Sequence, residues 1–165
     1  MTEIVIVAHN IRSTHNVGSI FRSSDGFGVS KIIFSGYTPY PTLENDTRLP
    51  HFADKLTRQI HKTALGAETE IPFEYVEEPP IAKLKKAGYS LVGLEQDVRS
   101  VMLPDYRPPE KVALILGNEI HGVSPEIMDQ CDTLIEIPMK GTKESFNVSV
   151  ATGVALYAIT ANSSR

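Results

Sequence analysis

The feature that most restricts the fold is a series of short apolar runs rich in β-branched residues. "EIVIVAH" (3–9), "KIIFSG" (31–36), "FEYV" (73–76), "YSLVGLE" (89–95), "VALILG" (112–117) and "TLIEIP" (133–138) are such runs. None alternates strictly between apolar and polar residues, so each predicts a strand covered on both faces, as in a parallel sheet. Helical patterns separate them, in "VGSIFRSSDGF" and "FADKLTRQIHKTAL". "PPIAKLKKAG" opens on proline and closes on glycine, which suits a short helix. In "SPEIMDQC", Ser124 is the expected N-cap and Pro125 the first helical residue. Alternating strands and helices predict an α/β fold, a mostly parallel sheet flanked by helices.

At 165 residues the chain fits one domain with its own core. No linker, repeat or low-complexity tract interrupts it, so a single domain over 1–165 is expected. "SGYTPYPTLENDTRLP" (35–50) is too long for a simple connection and is a candidate functional loop. The final helix, "NVSVATGVALYAITA", is apolar nearly all round. Val148, Ala151, Thr152, Ala155 and Ile159 form one stripe, while Val150, Val154, Leu156 and Tyr157 lie elsewhere around the axis. Such a helix is either deeply buried or packed on a second subunit, and a twofold homodimer through it is the expectation.

Several function classes are excluded or disfavoured. No apolar run reaches membrane-spanning length and no signal-like segment opens the chain, which predicts a cytoplasmic protein. Cys131 is the only cysteine and receives no role. His9, His15, His51, His61 and His121 lack the spacing of a metal site, so no metal is expected. Neither a phosphate-binding loop nor a dinucleotide fingerprint is present. The net charge of −4 argues weakly against a nucleic-acid partner. Yet Arg12, Arg22, Lys31, Arg48, Lys55, Arg58 and Lys62 gather early in the chain, while "GAETEIPFEYVEEPP" holds a block of acids. Opposed basic and acidic faces satisfy that sum, and so does a mixed solvated surface.

Three segments carry candidate chemistry. In "HNIRSTHNVGSIFRSSDGFGV" (9–29), Asn16 enters a helix after a strand, Gly18 permits close backbone approach, and Arg22 is placed to meet an anion. In "LILGNEIHGVS" (114–124), two glycines flank Asn118 and Glu119. "IPMKGTKESFNVSVATG" (137–153) crowds Lys140, Lys143, Glu144, Ser145 and Asn147 before the final helix. Capping, surface ion pairing and ordinary turns explain each segment singly. Three such loops at strand ends together favour a site, since ligands of open α/β sheets bind there.

These stretches resemble the SpoU (TrmH) family of the SPOUT superfamily of RNA methyltransferases, from about His9 to Ala158. "NVGSIFR" is similar to its first motif, N-x-G-x-x-x-R, "LGNEIHG" to its second, and "IPMKGTKESFNVSVA" to its third, with Phe146 where leucine is usual. The resemblance implies a C-terminal deep trefoil knot, a homodimer, and S-adenosylmethionine held through Gly117, Ile137 and Phe146, with Leu94 at the end of the preceding strand. It implies methyl transfer to a ribose 2′-hydroxyl of RNA. Strands from residue 3 and a last helix reaching the C-terminus lead to the expectation of no appended RNA-binding domain, a minimal architecture compatible with tRNA, which is favoured over rRNA. Arg22 matches the catalytic arginine, and Asn16, Glu119, Ser145 and Asn147 match the other polar positions. Because arginine is a poor base, Arg22 is expected to bind the adjacent phosphate and stabilise the developing alkoxide. Lys140, Lys143 and the 35–50 loop are candidate RNA contacts. A base methyltransferase of the same superfamily and a non-catalytic RNA-binding protein with the knotted fold are the competing readings.

Overall fold

The computed structural model describes residues 1–163. Its elements are β1 (Glu3–His9), α1 (Thr14–Gly26), β2 (Lys31–Ser35), α2 (Pro50–Ala64), α3 (Ala67–Glu70), β3 (Phe73–Val76), α4 (Ile81–Lys86), β4 (Ser90–Leu94), β5 (Val101–Met102), β6 (Lys111–Leu116), α5 (Pro125–Met128), β7 (Thr133–Glu136) and α6 (Val148–Asn162), with a 3₁₀ turn at Leu103–Asp105. All six predicted strands form. β5 and α3 are additional, being too short for a sequence pattern to register.

The sheet has seven strands in the order β3-β2-β1-β6-β4-β7-β5, and every pairing is parallel. Alternate strand residues divide between two cores. Ile4, Ile6 and Ala8 of β1 join Leu114 and Leu116 of β6 beneath α1, α2 and α6, where Val17, Phe21, Ile60, Leu156 and Ile159 are buried. Val5, Val7, Ala113 and Ile115 face the opposite side, under Leu84 of α4 and Ile127 of α5. Burial on both faces is why the strands read as continuous apolar runs.

Two local features shape the carboxyl ends of the strands. The order reverses at β1, whose neighbours are β2 on one side and β6 on the other, so a crevice opens there. Further along the sheet, Leu94 and Val101 both register with Ile135, on opposite sides. The connection 95–100 therefore arches across the exit of β7, and the chain continues from there towards α6.

In α6, Thr152, Ala155, Leu156 and Ile159 are buried, so Leu156 belongs to the inward stripe. Val150, Val154 and Tyr157 are 51%, 39% and 65% exposed, which leaves an apolar outward stripe uncovered in the single chain. Among the described residues, no helix is long and apolar enough to cross a membrane.

Candidate active site

The second motif folds as a closed turn. Asn118 and Gly122 exchange both backbone hydrogen bonds, Asn118 N–H to Gly122 C=O at 3.1 Å and the reverse at 2.8 Å. A Cβ on Gly117 would lie 2.2 Å from the Gly122 carbonyl carbon, so only glycine lets the strand run this close to its own return. The buried Asn118 amide fixes the turn to its surroundings. Its Oδ1 accepts from the N–H groups of Ile120 and His121, both at 2.9 Å. Its Nδ2 donates to the Asn10 carbonyl at 3.0 Å and the Tyr37 hydroxyl at 2.9 Å.

Glu119 is thereby aimed at the start of α1. Its carboxylate accepts from the N–H groups of Arg12 (2.9 Å) and Ser13 (3.0 Å) and from Asn16 Nδ2 (3.0 Å). Burial pushes the Glu119 carboxyl upward, but these donors outweigh it and hold it below the ordinary carboxylate value. Glu119 is thus an anion with its lone pairs committed, a tie between loops rather than a general base.

The third motif closes the chain of bonds. Asn147 caps α6, its Oδ1 accepting from Ser149 N–H at 2.9 Å. Its Nδ2 is left to donate to Asn16 Oδ1 at 3.2 Å, which in turn leaves Asn16 Nδ2 for Glu119. Each amide orientation follows from the one before it. Asn16, Glu119 and Asn147 therefore meet, although 103 and 131 positions separate Asn16 from the other two.

Beside this network lies a cleft of about 450 Å³, lined by Leu94, Gly117, Glu119, Ile137, Ser145, Phe146 and Asn147 among others. Glu95, Gln96, Leu116, Asn118, Ile120, His121 and Glu136 also contribute to its wall, and they lie outside the set of site residues that the sequence predicts. Asn118, Ile120 and His121 fall within the second motif, Leu116 and Glu136 end the strands β6 and β7, and Glu95 and Gln96 follow β4, so position at a strand end is the signal they share. Glu95, Glu119, Glu136 and Glu144 line the cleft, and among the described residues no lysine or arginine does.

Ser13 caps α1, its Oγ accepting from Asn16 N–H at 3.2 Å, so helix capping does not account for Asn16. The close approach at Gly18 is to α2, since a Cβ there would meet Thr63 Oγ1 at 2.1 Å and Ile60 O at 2.3 Å. Arg22 lies well along α1, roughly 12 Å of helix rise beyond Thr14, exposed and outside the cleft lining. Arg48 is not an available cation. It forks onto Asp46 at 2.9 and 2.6 Å, donates to the carbonyls of Tyr40 and Pro41, and stacks on the Tyr40 ring. Lys31 is likewise taken by Glu74 at 2.9 Å. Arg12, Arg22, Lys55, Arg58, Lys62, Lys140 and Lys143 stay exposed. Burial, with a smaller push from Asp132, raises the Cys131 thiol to about 11, which suits a structural residue. Among the described residues, no group of three or more His, Cys, Asp and Glu side chains could hold a metal ion.

A wholly parallel sheet with loops from three motifs tied around a cleft at its strand ends is the layout of an α/β domain that binds a small molecule. The chain belongs to the SpoU rRNA Methylase family, whose model matches residues 3–157. It is similar to a tRNA (guanosine(18)-2′-O)-methyltransferase of Aquifex aeolicus, 29% identical over 94% of this chain and 67% of the relative. It is also similar to a 23S rRNA (guanosine-2′-O-)-methyltransferase of Xanthomonas axonopodis pv. citri, 32% identical over 93% of this chain and 57% of the relative. Among solved structures, the A. aeolicus TrmH/SpoU tRNA modifying enzyme superposes with a TM-score of 0.78 at 27% identity, over 98% of this chain and 76% of that one. An AdoMet-bound rRNA methyltransferase from Sinorhizobium meliloti superposes with a TM-score of 0.75 at 25% identity, over 94% and 55%. The chain thus spans little more than half the length of several of its relatives.

Proposed function

We propose that this chain is an S-adenosylmethionine-dependent methyltransferase acting on a ribose 2′-hydroxyl of RNA. One observation carries the reading: the Asn16–Glu119–Asn147 network joins all three motifs beside a cleft that holds the four residues expected at the cofactor. The cleft fits that cofactor in size and in charge. A volume of about 450 Å³ is in the range of small-molecule sites. Carboxylates without cations suit a sulfonium and ammonium group and disfavour a phosphorylated ligand. When bound, the cofactor supplies an activated methyl group.

The residues have distinct tasks. Leu94, Gly117 and Ile137 would hold the cofactor through strand-end backbone, and Phe146, 42% exposed, would cover it. Glu119 and Asn16 fix the loops, and Ser145, which makes no hydrogen bond to another described residue, is free to meet the ribose. With Glu119 committed, the hydroxyl must be activated by a cation. Arg22 is not among the residues that line the cleft of its own chain, but α1 packs beside the uncovered stripe of α6. A homodimer through Val150, Val154 and Tyr157 would bury that stripe and bring Arg22 towards the partner. The arch of 95–100 across β7 supports the trefoil threading of the C-terminal segment.

Labelled methyl transfer into tRNA and ribosomal RNA fractions, followed by digestion to nucleosides, tests the reading. A 2′-O-methylated nucleoside is expected, with tRNA tried first because the A. aeolicus tRNA enzyme is spanned over 67% of its length. A base-methylated product would move the chain to the other reaction class, and absence of cofactor binding would leave a non-catalytic RNA-binding protein.

A further inference from the structure

A second cavity, of about 420 Å³, adjoins the cleft and is lined by Arg12, Tyr37, Asn118, Ile120 and His121. Asn118, Ile120 and His121 also line the cleft, so they form the wall between the two spaces. The two differ in charge: the cleft has carboxylates and no cation, whereas the cavity has Arg12 and no carboxylate.

Its apolar walls are exposed yet fixed. Tyr37 is 59% exposed and Ile120 69%, values common among freely moving surface residues. Tyr37 is anchored at both ends, its hydroxyl accepting from Asn118 Nδ2 at 2.9 Å and its N–H donating to Asn10 Oδ1 at 3.1 Å. Behind it, Asn10 (φ 56°) and Gly36 (φ 65°) both adopt left-handed backbone. A Cβ at Gly36 would fall 1.9 Å from Asn10 Oδ1, so the two turns interlock. Gly36 adopts this left-handed backbone freely, whereas at Asn10 a non-glycine residue is held there by its surroundings. The Ile120 backbone is held through its N–H, which donates to the same Asn118 amide. One buried amide thus ties the Tyr37 ring and the Ile120 backbone to the same turn. Arg12 stands at the cavity with its guanidinium unpaired among the described residues, while its N–H is tied to Glu119.

We infer that this cavity receives the RNA nucleotide to be methylated, its base against Tyr37 and Ile120 and its phosphate at Arg12. The inference rests on the proposed RNA methyltransferase reading. A held aromatic face with an adjacent cation matches the chemistry that takes a nucleotide out of a single strand. The shared wall then sets the ribose at the boundary with the cleft, where its 2′-hydroxyl must lie.

Tyr37→Ala, Tyr37→Phe and Arg12→Gln test this in the full chain, by methyl-transfer kinetics on RNA and by cofactor calorimetry. Tyr37→Ala should lower kcat/KM for RNA roughly 5- to 150-fold, the range of lost base stacking, with cofactor Kd changed less than about twofold. Tyr37→Phe, which keeps the ring and loses the Asn118 bond, should recover most of that loss. Arg12→Gln should weaken RNA binding and reduce its salt slope by about one unit. Equal loss in Tyr37→Ala and Tyr37→Phe, or loss of cofactor affinity in parallel, would make Tyr37 a structural residue and overturn the inference. So would unchanged kcat/KM in Tyr37→Ala. If the wild type transfers no methyl to RNA, the methyltransferase reading fails, and fluorescence anisotropy of a labelled single-stranded RNA pentanucleotide decides the cavity alone. Binding that weakens in Tyr37→Ala and Arg12→Gln sustains it, and absence of wild-type binding ends it. Equal competition by a free nucleoside monophosphate would make the cavity a mononucleotide site and overturn the RNA assignment.

Discussion

The two loops that face each other across the cleft are built on opposite plans. In the 117–122 turn, backbone, Asn118 and Glu119 all bond within the protein, to the connection between β1 and α1 and to the 35–50 loop. The 139–146 segment is exposed over nearly all its length. No backbone N–H in it donates to another described residue, and one carbonyl, that of Glu144, accepts from Gln96 Nε2 at 2.7 Å. Backbone groups that find no partner in the protein must find one in water or a ligand. The first loop is therefore a finished wall, and the second a set of donors and acceptors waiting for a guest. Asn147 joins the two, being both the end of the open loop and a member of the bonded network.

Substitutions should accordingly cost stability on one side and function alone on the other. The largest effect is expected at Gly117→Ala. The atoms that its Cβ meets at 2.2–2.3 Å are backbone of Gly122 and Val123, which cannot swing aside. About 3 kcal/mol of stability should be lost, the upper part of the overpacking range, together with cofactor binding. Urea denaturation and calorimetry measure both. A stability near wild type would mean that the turn is not the rigid wall described. Glu119→Ala comes next, because it strands three donors at once. About 2 kcal/mol should go, as for hydrogen bonds to a charged group, and methyl transfer should fall with it. Ser145→Ala lies on the open side. Its stability should stay within about 0.5 kcal/mol of wild type, as for surface changes in general, while transfer falls. If it unfolds as readily as Glu119→Ala, the contrast between the loops is wrong.

The same contrast explains how much of the molecule is legible in its sequence. The inner strands are legible because two buried faces leave a continuous apolar run; the edge strand β3 is half-buried throughout, and Val101–Met102 is a two-residue edge strand with both side chains exposed. Strand order is not legible, since β6 and β7 reach their places by crossovers that no local pattern encodes. The motif residues stand out by type, but the bonds among Asn16, Glu119 and Asn147 span most of the chain. Arg22 is legible as a position on α1 by its spacing from Asn16, but that spacing does not say that it stays exposed and outside the cleft lining of its own chain. Arg48 reads as a surface cation, although Asp46 two residues earlier already neutralises it. Tyr37 is hidden inside a long loop that only its length makes conspicuous.

The smallest expected effect is on pH dependence, and it separates the loops without a large loss of stability. Glu119 has its folded-state carboxyl held below the ordinary value of 4.5 by its donors, against the upward push of burial. For a depressed carboxyl, the contribution to stability is complete above the unfolded value and is lost as pH falls through the folded one. His9 adds a second acid-sensitive group at higher pH. Burial lowers its value from 6.5, against a weaker upward pull from Glu78, so the unfolded chain takes up the proton first and stability begins to fall below about pH 6.5. The two declines begin at different pH, near 6.5 for His9 and near 4.5 for Glu119. Glu119→Gln should flatten the decline below pH 4.5 and leave the His9 segment in place, whereas Ser145→Ala should alter neither. Thermal midpoints measured from pH 7 down to pH 3 resolve the two segments. If Glu119→Gln leaves the lower segment as steep as in the wild type, the carboxylate is not the charge that those three donors stabilise, and the distinction between a bonded wall and an open loop loses its electrostatic basis.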